Sequence, residues 1–211
     1  MNINPKISII VPCYNVADYL QHCLESVAVQ PIGQVEYLFV NDGSTDRTLS
    51  LLTNFCIDKP YCHLINQSNT GVSGARNVAL KVAKGEYIYL LDGDDILTDG
   101  AISAMLECIE DSSVDVVLSE VTLLKDGISQ RIKLPMCTGE YTPGTLYRSC
   151  RIFPTMPQLL YKRDIIETNH IWFNREIRLG EVYEFTIRVL AKSSKVKVTS
   201  DCFFYYVMRS S

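Results

Sequence analysis

The chain has 211 residues, of which 47% are hydrophobic and 21% are charged, and its formal net charge is −4. These proportions are typical of a folded protein with a sizeable core and argue against a disordered chain. The negative charge gives no support for nucleic-acid binding as the main role. No apolar run reaches the about 18 residues of a membrane span, and the start of the sequence shows no signal-peptide pattern.

The cysteines indicate the redox environment of the protein. There are eight of them, spread along the chain without a C-x-x-C pair, and most lie in apolar or periodic stretches. This pattern predicts reduced, mainly buried thiols in a cytosolic protein rather than disulfides or a zinc site.

The first half of the sequence alternates apolar strands with amphipathic helices. The predicted strands are 7–11, 36–40, 62–65 and 87–91, and the predicted helices are 18–29, one that stops before Pro60, and 75–83. We expect Pro12 to end the first strand and Gly85 to occupy the C′ position of the third helix. The alternation predicts an open, mostly parallel α/β sheet with helices on both faces. Ligands of such sheets bind beyond the carboxyl ends of the strands, where loops 12–15, 41–46 and 92–95 fall.

The second half begins with a predicted helix from residue 101 to about 111, a strand at 115–124 and a hairpin turn into 128–134. Glycines and prolines then interrupt residues 135–157, for which we predict a long connection with at most one short helix. This connection is a candidate mobile lid or acceptor-side loop. The remaining predictions are strands at 158–161, 196–198 and 203–207, a helical turn at 163–168 and a helix at 181–191.

An acidic stretch, Asp92-Gly93-Asp94-Asp95, directly follows the strand predicted at 87–91. Because side chains alternate along a strand, we expect Asp92 and Asp94 to point the same way and Asp95 the other way. Mg²⁺ and Mn²⁺ prefer oxygen ligands and often complete their shell with substrate phosphates, so the stretch suggests a metal–diphosphate site. The alternative is an Asx-type turn in which Asp95 caps a following helix. An EF-hand is excluded, because its sixth position requires glycine and here holds Leu97.

Two common nucleotide-binding signatures are absent. The first strand is not followed by G-x-G-x-x-G, and the sequence has no Walker A loop. These absences argue against an NAD-dependent enzyme and against an ATPase.

Four segments, in this order and spacing, resemble the inverting glycosyltransferases of family 2. They are Ile9-Ile10-Val11-Pro12-Cys13-Tyr14-Asn15, Val40-Asn41-Asp42-Gly43-Ser44-Thr45-Asp46, Asn69-Thr70-Gly71-Val72-Ser73-Gly74-Ala75-Arg76-Asn77, and residues 84–95. A weaker match covers residues 178–185. The resemblance implies the GT-A fold and a nucleotide-activated sugar as donor. Since the Gln-x-x-Arg-Trp motif of processive synthases is absent, the resemblance is to non-processive, bacterial-type enzymes.

The resemblance implies a single domain, with residues 1–100 as its nucleotide-sugar-binding half and residues 101–211 as its acceptor-binding half. We expect the C-terminal tail to be cut off in this sequence. The implied nucleotide-binding residues are Pro12, Tyr14, Asn15, Asp42, Arg76, Asp92 and Gly93. Tyr14 would give the base an aromatic face, Asp42 would accept a hydrogen bond from the uracil imide, and Arg76 would reach the nucleotide or its phosphates.

The resemblance also implies a Mn²⁺ or Mg²⁺ ion held by Asp94 and Asp92. The catalytic base is the point of departure, because the family usually carries Gly-Glu-Asp before the late helix and Val182 stands at the aspartate position. We predict that Glu181 is the substitute base. The alternatives are that Glu181 only stabilises the start of its helix, and that the chain is a nucleotide-sugar-binding module with weak or no turnover.

The expected activity is transfer of a sugar, with inversion, from a nucleoside-diphosphate donor of the UDP-sugar type to a hydroxyl of a glycan or lipid-linked acceptor. The expected setting is cytoplasmic polysaccharide biosynthesis for the cell envelope, with no nucleic-acid partner and with peripheral association at the inner face of the membrane left open. A nucleotidyltransferase on a similar sheet would need a basic, glycine-rich loop after the first strand, and residues 12–15 contain no basic side chain.

Overall fold

The computed structural model describes residues 4–31, 33–149 and 158–208. The elements in chain order are β1 (Ile7–Cys13), α1 (Ala17–Ala28), β2 (Val35–Asp42), α2 (Thr48–Cys56), β3 (Cys62–Gln67), α3 (Val72–Val82), β4 (Tyr87–Leu90), β5 (Ile96–Leu97), α4 (Ala101–Cys108), β6 (Val116–Lys125), β7 (Ile128–Ile132), β8 (Gly139–Tyr141), α5 (Pro143–Ser149), β9 (Leu159–Lys162), α6 (Arg163–Thr168), α7 (Glu181–Leu190) and β10 (Val196–Val207). The strands form one sheet in the order β3-β2-β1-β4-β9-β6-β10-β5, with β7 paired to β6 and β8 paired to β10.

The sheet is mixed. The strands β3, β2, β1 and β4 are parallel to their neighbours, as predicted. Strand β9 is antiparallel to both β4 and β6 and joins this parallel group to the second half of the sheet. The second half keeps one parallel pair, β6 with β10, and its other pairings in the described residues are antiparallel. The predicted parallel order therefore applies to the first half of an open α/β sheet.

Helices cover both faces of the sheet, as predicted. One hydrophobic cluster packs α1, α2 and α4 against one face, and a second packs α3, α6 and α7 against the other. Strands β1, β2 and β4 contribute alternate side chains to the two clusters, and this arrangement explains why their sequences are almost wholly apolar. The carboxyl ends of β1, β2 and β4 consequently lie along one edge, and the polar loops follow them there.

The prediction that Pro12 ends the first strand is wrong, since β1 continues to Cys13. The carbonyl oxygens of Lys6 and Ile10 accept hydrogen bonds from Tyr87 and Leu91, so the even-numbered backbone groups of β1 face β4. Pro12 also faces that side, but the pairing with β4 ends at Ile10. The missing N–H of Pro12 therefore costs the sheet no hydrogen bond.

The prediction for Gly85 is also wrong. Helix α3 begins at Val72, earlier than predicted, and its C-cap Ala83 is extended, so no left-handed C′ glycine is involved. Gly85 is needed for another reason, because a Cβ atom at this position would overlap the backbone nitrogen of Ser8 on β1. The glycine allows two backbone segments to approach closely.

The end of the chain differs from its prediction in two ways. The two short strands predicted at 196–198 and 203–207 are one strand, β10, whose register against β6 shifts on both sides of Cys202. The polar residues 199–201 occupy this irregular stretch, and they gave the sequence the appearance of a break. The predicted connection at 135–157 contains β8 and α5, and its residues 150–157 lie outside the described residues.

Other predictions are confirmed. The β6–β7 hairpin turns at Asp126 and Gly127, whose φ angles of 49° and 78° are those of a type I′ turn. The predicted elements at 158–161, 163–168 and 181–191 correspond to β9, α6 and α7. Seven cysteines lie in the described residues, all are free thiols and four are buried.

Candidate active site

The loop after β1 and the loop after β2 are fastened to each other by Asn15. Its side-chain oxygen accepts a hydrogen bond of 2.8 Å from the backbone N–H of Thr45, and its own backbone N–H donates to Ser44 Oγ at 3.1 Å. Asn15 has a φ of 51°, a left-handed conformation that asparagine tolerates. The turn leaves the neighbouring Tyr14 half exposed at the rim. Asn15 thus shapes the predicted nucleotide pocket, and Tyr14 is available to a ligand.

Asp42 lies at the end of β2 and is 2% exposed. Its Oδ1 accepts hydrogen bonds from Gln67 Nε2 at 2.7 Å and from the backbone N–H of Thr70 at 2.9 Å. A longer contact of 3.3 Å joins the same oxygen to Thr70 Oγ1. Because these three contacts all use Oδ1, they fix the orientation of the carboxylate, and none of them involves Oδ2.

Arg76 is the centre of the candidate site. It lies on α3 and is 2% exposed. Its Nη1 donates to Glu181 Oε1 at 2.8 Å, and its Nη2 donates to Asp92 Oδ1 at 2.9 Å. Burial favours the neutral form of the guanidinium, but the charges of Asp92 and Glu181 outweigh it and raise the pKa of Arg76. One buried cation therefore joins the acidic turn after β4 to the start of α7.

The neighbouring Asn77 fixes the segment that leads to α7. Its Nδ2 donates to the carbonyl of Phe173, and its Oδ1 accepts from the backbone N–H of Phe173, both at 2.8 Å. The ring of Phe173 stacks on Phe185 of α7 with a centroid distance of 4.1 Å, and the Arg76 guanidinium lies 5.3 Å from its centroid. Sequence reasoning missed this role of Asn77, although the resemblance includes the residue.

The acidic stretch is a turn, in which the backbone N–H of Asp95 donates to the carbonyl of Asp92 at 3.0 Å. Asp92 contacts Arg76 on α3, whereas Asp94 lines a cavity with Tyr19 and His22 of α1. The strand alternation from which we predicted that Asp92 and Asp94 point the same way does not extend to them, because β4 ends at Leu90.

The other two residues of this turn support the structure around it. Asp95 is buried, and its Oδ1 accepts a hydrogen bond of 3.0 Å from the backbone N–H of Val207 on β10. Gly93 lies against the end of β1, where a Cβ atom would come within 2.8 Å of Cys13 Sγ. Any larger residue at Gly93 would require the turn or the Cys13 side chain to shift.

The capacity of the turn for a divalent cation follows from its donor set. Across the described ranges, no group of three or more His, Cys, Asp or Glu side chains is arranged to hold a metal ion. Asp92 and Asp94 nevertheless offer hard carboxylate oxygens, and both side chains are partly exposed. Two carboxylates fit a Mg²⁺ or Mn²⁺ ion that takes its remaining ligands from a diphosphate and water.

At the start of α7, the side chain of Glu181 lies in the site and that of Val182 lies in the core. Gly180 has a φ of 81° and forms the N-cap. The side chain of Glu181 is 15% exposed. Val182 is 4% exposed and belongs to the hydrophobic cluster that includes Phe185. Glu184, one turn further on, forms an ion pair of 2.6 Å with Arg188. Glu181 is therefore the acidic residue of this turn that contacts the candidate site.

Comparison with known families accounts for this arrangement. The family model described as glycosyl transferase family 2 matches residues 8–177, which is most of the chain. The chain belongs to glycosyl transferase family 2. The match includes the loops after β1, β2 and β4 as well as α3, and it ends just before Glu181.

Several family 2 relatives have curated names. The chain is 32% identical to the poly(ribitol-phosphate) beta-glucosyltransferase of Bacillus spizizenii, with 97% of this chain and 32% of the relative covered. It is 28% identical to the uncharacterized glycosyltransferase EpsJ of Bacillus subtilis, with 96% of this chain and 61% of the relative covered. The match thus covers less than a third of the first relative and about three fifths of the second.

Solved structures show the same fold. The structure of Staphylococcus aureus TarS residues 1–349 with UDP superposes with a TM-score of 0.85 at 28% identity, and the match covers 96% of this chain and 60% of the 1–349 chain. The complex of the same protein with UDP-GlcNAc gives a TM-score of 0.86. The mannosyltransferase PcManGT of Pyrobaculum calidifontis, in complex with GDP-Man and Mn²⁺, gives 0.71 at 19% identity, a likeness of fold. The fold of this chain is GT-A.

In the parts of the chain that the structure describes, no helix is long and apolar enough to cross a membrane.

Proposed function

We propose that this chain is a hexosyltransferase that moves a sugar from a UDP-sugar to a hydroxyl of a glycan or lipid-linked acceptor, with inversion and with assistance from a divalent cation. The observation that carries the proposal is the double ion pair of Arg76. It brings Asp92, from the turn beside the nucleotide loops, and Glu181, at the start of α7, to one guanidinium. A donor-binding carboxylate and a candidate base are thus held next to each other.

The nucleotide would bind over the carboxyl ends of β1 and β2. Tyr14 would stack on the base beside Pro12, and Oδ2 of Asp42 would accept the imide N–H of uracil. Asp92 would hold the ribose, with Gly93 allowing close approach of the backbone. The UDP and UDP-GlcNAc complexes of TarS, at 28% identity, support uridine as the base.

We assign Arg76 a positioning role in addition to its predicted contact with the nucleotide. Its side chain is 3% exposed, and its guanidinium already donates hydrogen bonds to two carboxylates. It would therefore act mainly by fixing Asp92 and Glu181, and contact with the phosphates would require Arg76 to exchange one of these partners.

A bound Mn²⁺ or Mg²⁺ would stabilise the negative charge that develops on the leaving diphosphate. Asp94, with Asp92, would hold the ion. The structure of PcManGT, which has a similar fold, contains Mn²⁺ and supports a divalent cation here.

Glu181 would remove the proton from the acceptor hydroxyl as that oxygen attacks the anomeric carbon, while the bond from that carbon to the diphosphate oxygen breaks. Arg76 contacts Oε1 of Glu181, which leaves Oε2 as the oxygen that would take the proton.

A second candidate is a nucleotide-sugar-binding module with weak or no turnover. The burial of Val182 favours it, because the residue at the position of the expected base is part of the core. With either function, the protein would work in the cytoplasm, and a lipid-linked acceptor would bring it to the inner face of the membrane.

The deciding experiment joins calorimetry to a transfer assay. UDP, UDP-glucose and UDP-GlcNAc are titrated into the protein with Mn²⁺ and then with EDTA, and Asp94→Ala is compared with Asp99→Ala, which removes an exposed carboxylate nearby. We expect EDTA and Asp94→Ala to weaken binding and Asp99→Ala to leave it unchanged. Glu181→Gln should abolish transfer while UDP still binds. Binding without transfer or donor hydrolysis over long incubation would select the module, and no binding of any UDP compound would reject both candidates.

A further inference from the structure

Two of the free thiols contact each other where the chain leaves α2 and enters β3. Cys56 is the last residue of α2, and Cys62 is the first residue of β3. The thiol of Cys62 donates a hydrogen bond to the sulfur of Cys56. Cys62 is a buried member of the hydrophobic cluster on this face of the sheet, and Cys56 packs at the margin of that cluster. The fold therefore holds two sulfur atoms together, one inside the core and one at its edge.

We infer that Cys56 and Cys62 are a site of reversible disulfide formation, in which Cys56 attacks a low-molecular-weight disulfide and Cys62 then displaces the bound thiol. Neither residue belongs to the candidate active site, so the inference does not rest on the proposed function. The pair would stay open under reducing conditions and would close under oxidising conditions.

The surroundings of Cys56 suit it to the first step. The hydrogen bond from Cys62 lowers the pKa of the Cys56 thiol, partial burial opposes this, and the positive charge of Lys59 lowers the pKa further. Lys59 is fixed in place, because its Nζ donates to the carbonyl of Phe55 at 2.6 Å and lies 4.3 Å from the centroid of the Phe55 ring. Since the thiolate is the form that attacks a disulfide, Cys56 is the nucleophile of the pair.

Cys62 suits the second step. It is 7% exposed, so a dissolved oxidant meets Cys56 first. The hydrogen bond to Cys56 is the largest cause of the raised pKa of Cys62, and burial adds to it. Once Cys56 has formed a mixed disulfide, its thiolate is gone, and this cause is removed. Cys62 can then lose its proton and attack the neighbouring sulfur.

Other buried cysteines lack this combination. Cys13 and Cys23 are 1% and 0% exposed, and burial raises the pKa of both thiols. Thiols that are both inaccessible and protonated are inert toward dissolved disulfides. A half-buried thiolate beside a buried thiol is therefore what distinguishes Cys56 and Cys62.

The backbone between the two cysteines can accommodate the bond. The N–H of Lys59 donates to the carbonyl of Cys56 at 3.2 Å, and the N–H of Cys62 donates to the carbonyl of Lys59 at 2.9 Å. Ile57 and Asp58 in this connection are exposed. A disulfide requires the sulfur atoms to approach to about 2 Å, and a surface connection absorbs such a shift more easily than a packed core does.

The reaction with glutathione disulfide balances in two steps. The thiolate of Cys56 attacks one sulfur of glutathione disulfide, the bond between the two glutathione sulfurs breaks, and one glutathione leaves as a thiolate. Cys62 then releases its proton to the solvent and attacks the sulfur of Cys56, and the second glutathione leaves. Two protein thiols are oxidised, and one glutathione disulfide is reduced to two glutathione molecules.

The test is incubation of the full chain with glutathione disulfide, alkylation of the remaining thiols and peptide mass spectrometry. A protease that cleaves before aspartate places Cys56 in fragment 46–57 and Cys62 in fragment 58–91. We expect these fragments to be joined by a disulfide, with loss of two hydrogen atoms, and to separate after dithiothreitol. The exposed Cys137 is the internal control and should stop at the mixed disulfide with glutathione.

Two variants separate the roles of the cysteines. Cys62→Ser should accumulate glutathione on Cys56, because the thiol that displaces it is missing, whereas Cys56→Ser should leave Cys62 unmodified. The inference is overturned if the unaltered protein keeps both thiols under conditions that modify Cys137, if Cys56 retains glutathione in it, or if either cysteine pairs elsewhere. Equal amounts of glutathione on Cys56 with and without Cys62 would also overturn it. The outcomes in the unaltered protein decide the question even where a variant fails to fold.

Discussion

Replacing Arg76 by methionine tests the central feature of the site. Methionine keeps much of the length and apolar volume of the arginine stem but removes both ion pairs. Asp92 and Glu181 would then lose the cation that both contact, and their side chains are only 32% and 15% exposed.

The expected loss of stability follows from this burial. Removing one partner of a buried ion pair costs about 3–5 kcal/mol, because a charge is left without compensation. Asp92 retains some access to water, so we expect a loss near the lower limit, about 3 kcal/mol. For a domain of this size each kcal/mol lowers Tm by about 2–4 °C, so the transition should fall by roughly 6–12 °C.

Urea unfolding followed by circular dichroism measures the loss. The matched control is Lys6→Met, which removes an exposed ion pair with Glu86 and should cost at most about 1 kcal/mol. The double variant Arg76→Met with Glu181→Gln should recover part of the loss, since it removes one unpaired charge. A loss below about 1 kcal/mol in Arg76→Met, or no recovery in the double variant, would refute the assignment of Arg76 as the cation that neutralises both carboxylates.

Two further predictions concern the pocket and the packing. Asp42→Asn should weaken UDP binding, measured by calorimetry, about tenfold or more, with little change in Tm. The donors at Oδ1 would keep the side-chain oxygen in place and turn the new NH₂ group toward the imide N–H of uracil, so that two donors face each other. Unchanged UDP affinity would contradict this. Gly85→Ala should lower the free energy of unfolding by about 1–3 kcal/mol, because its Cβ would overlap the backbone of β1. Gly144→Ala, where a Cβ meets no atom closer than 3.8 Å, is the control and should be neutral or stabilising. Equal stability of the two glycine variants would show that the close approach at Gly85 is not restrictive.

The sequence predicted those elements whose causes are local. Strands β1, β2 and β4 are largely apolar, and the β6–β7 hairpin carries an Asp-Gly turn. Helix α7 follows a glycine that forms its N-cap. In each of these elements the side-chain pattern and the turn residues that determine the structure lie next to each other in the chain.

What the sequence did not predict depends on distant partners. The strands β5 and β8 have two and three residues, and they exist because β10 pairs with them. The state of Arg76 is decided by Glu181, which lies 105 positions further along the chain. Without that partner, a charged residue in the first turns of a helix is indistinguishable from a solvated one.

The place of β9 between β4 and β6 has a consequence for synthesis of the protein. The residues proposed to bind the nucleotide all precede residue 96, yet the outer edge of β4 is hydrogen-bonded only when Leu159–Lys162 arrives. Until then the nascent chain exposes an apolar strand with free backbone groups, which is a template for aggregation. A fragment ending near residue 100 would keep that edge permanently open, so a nucleotide-binding half expressed alone needs a substitute strand before it can stay soluble.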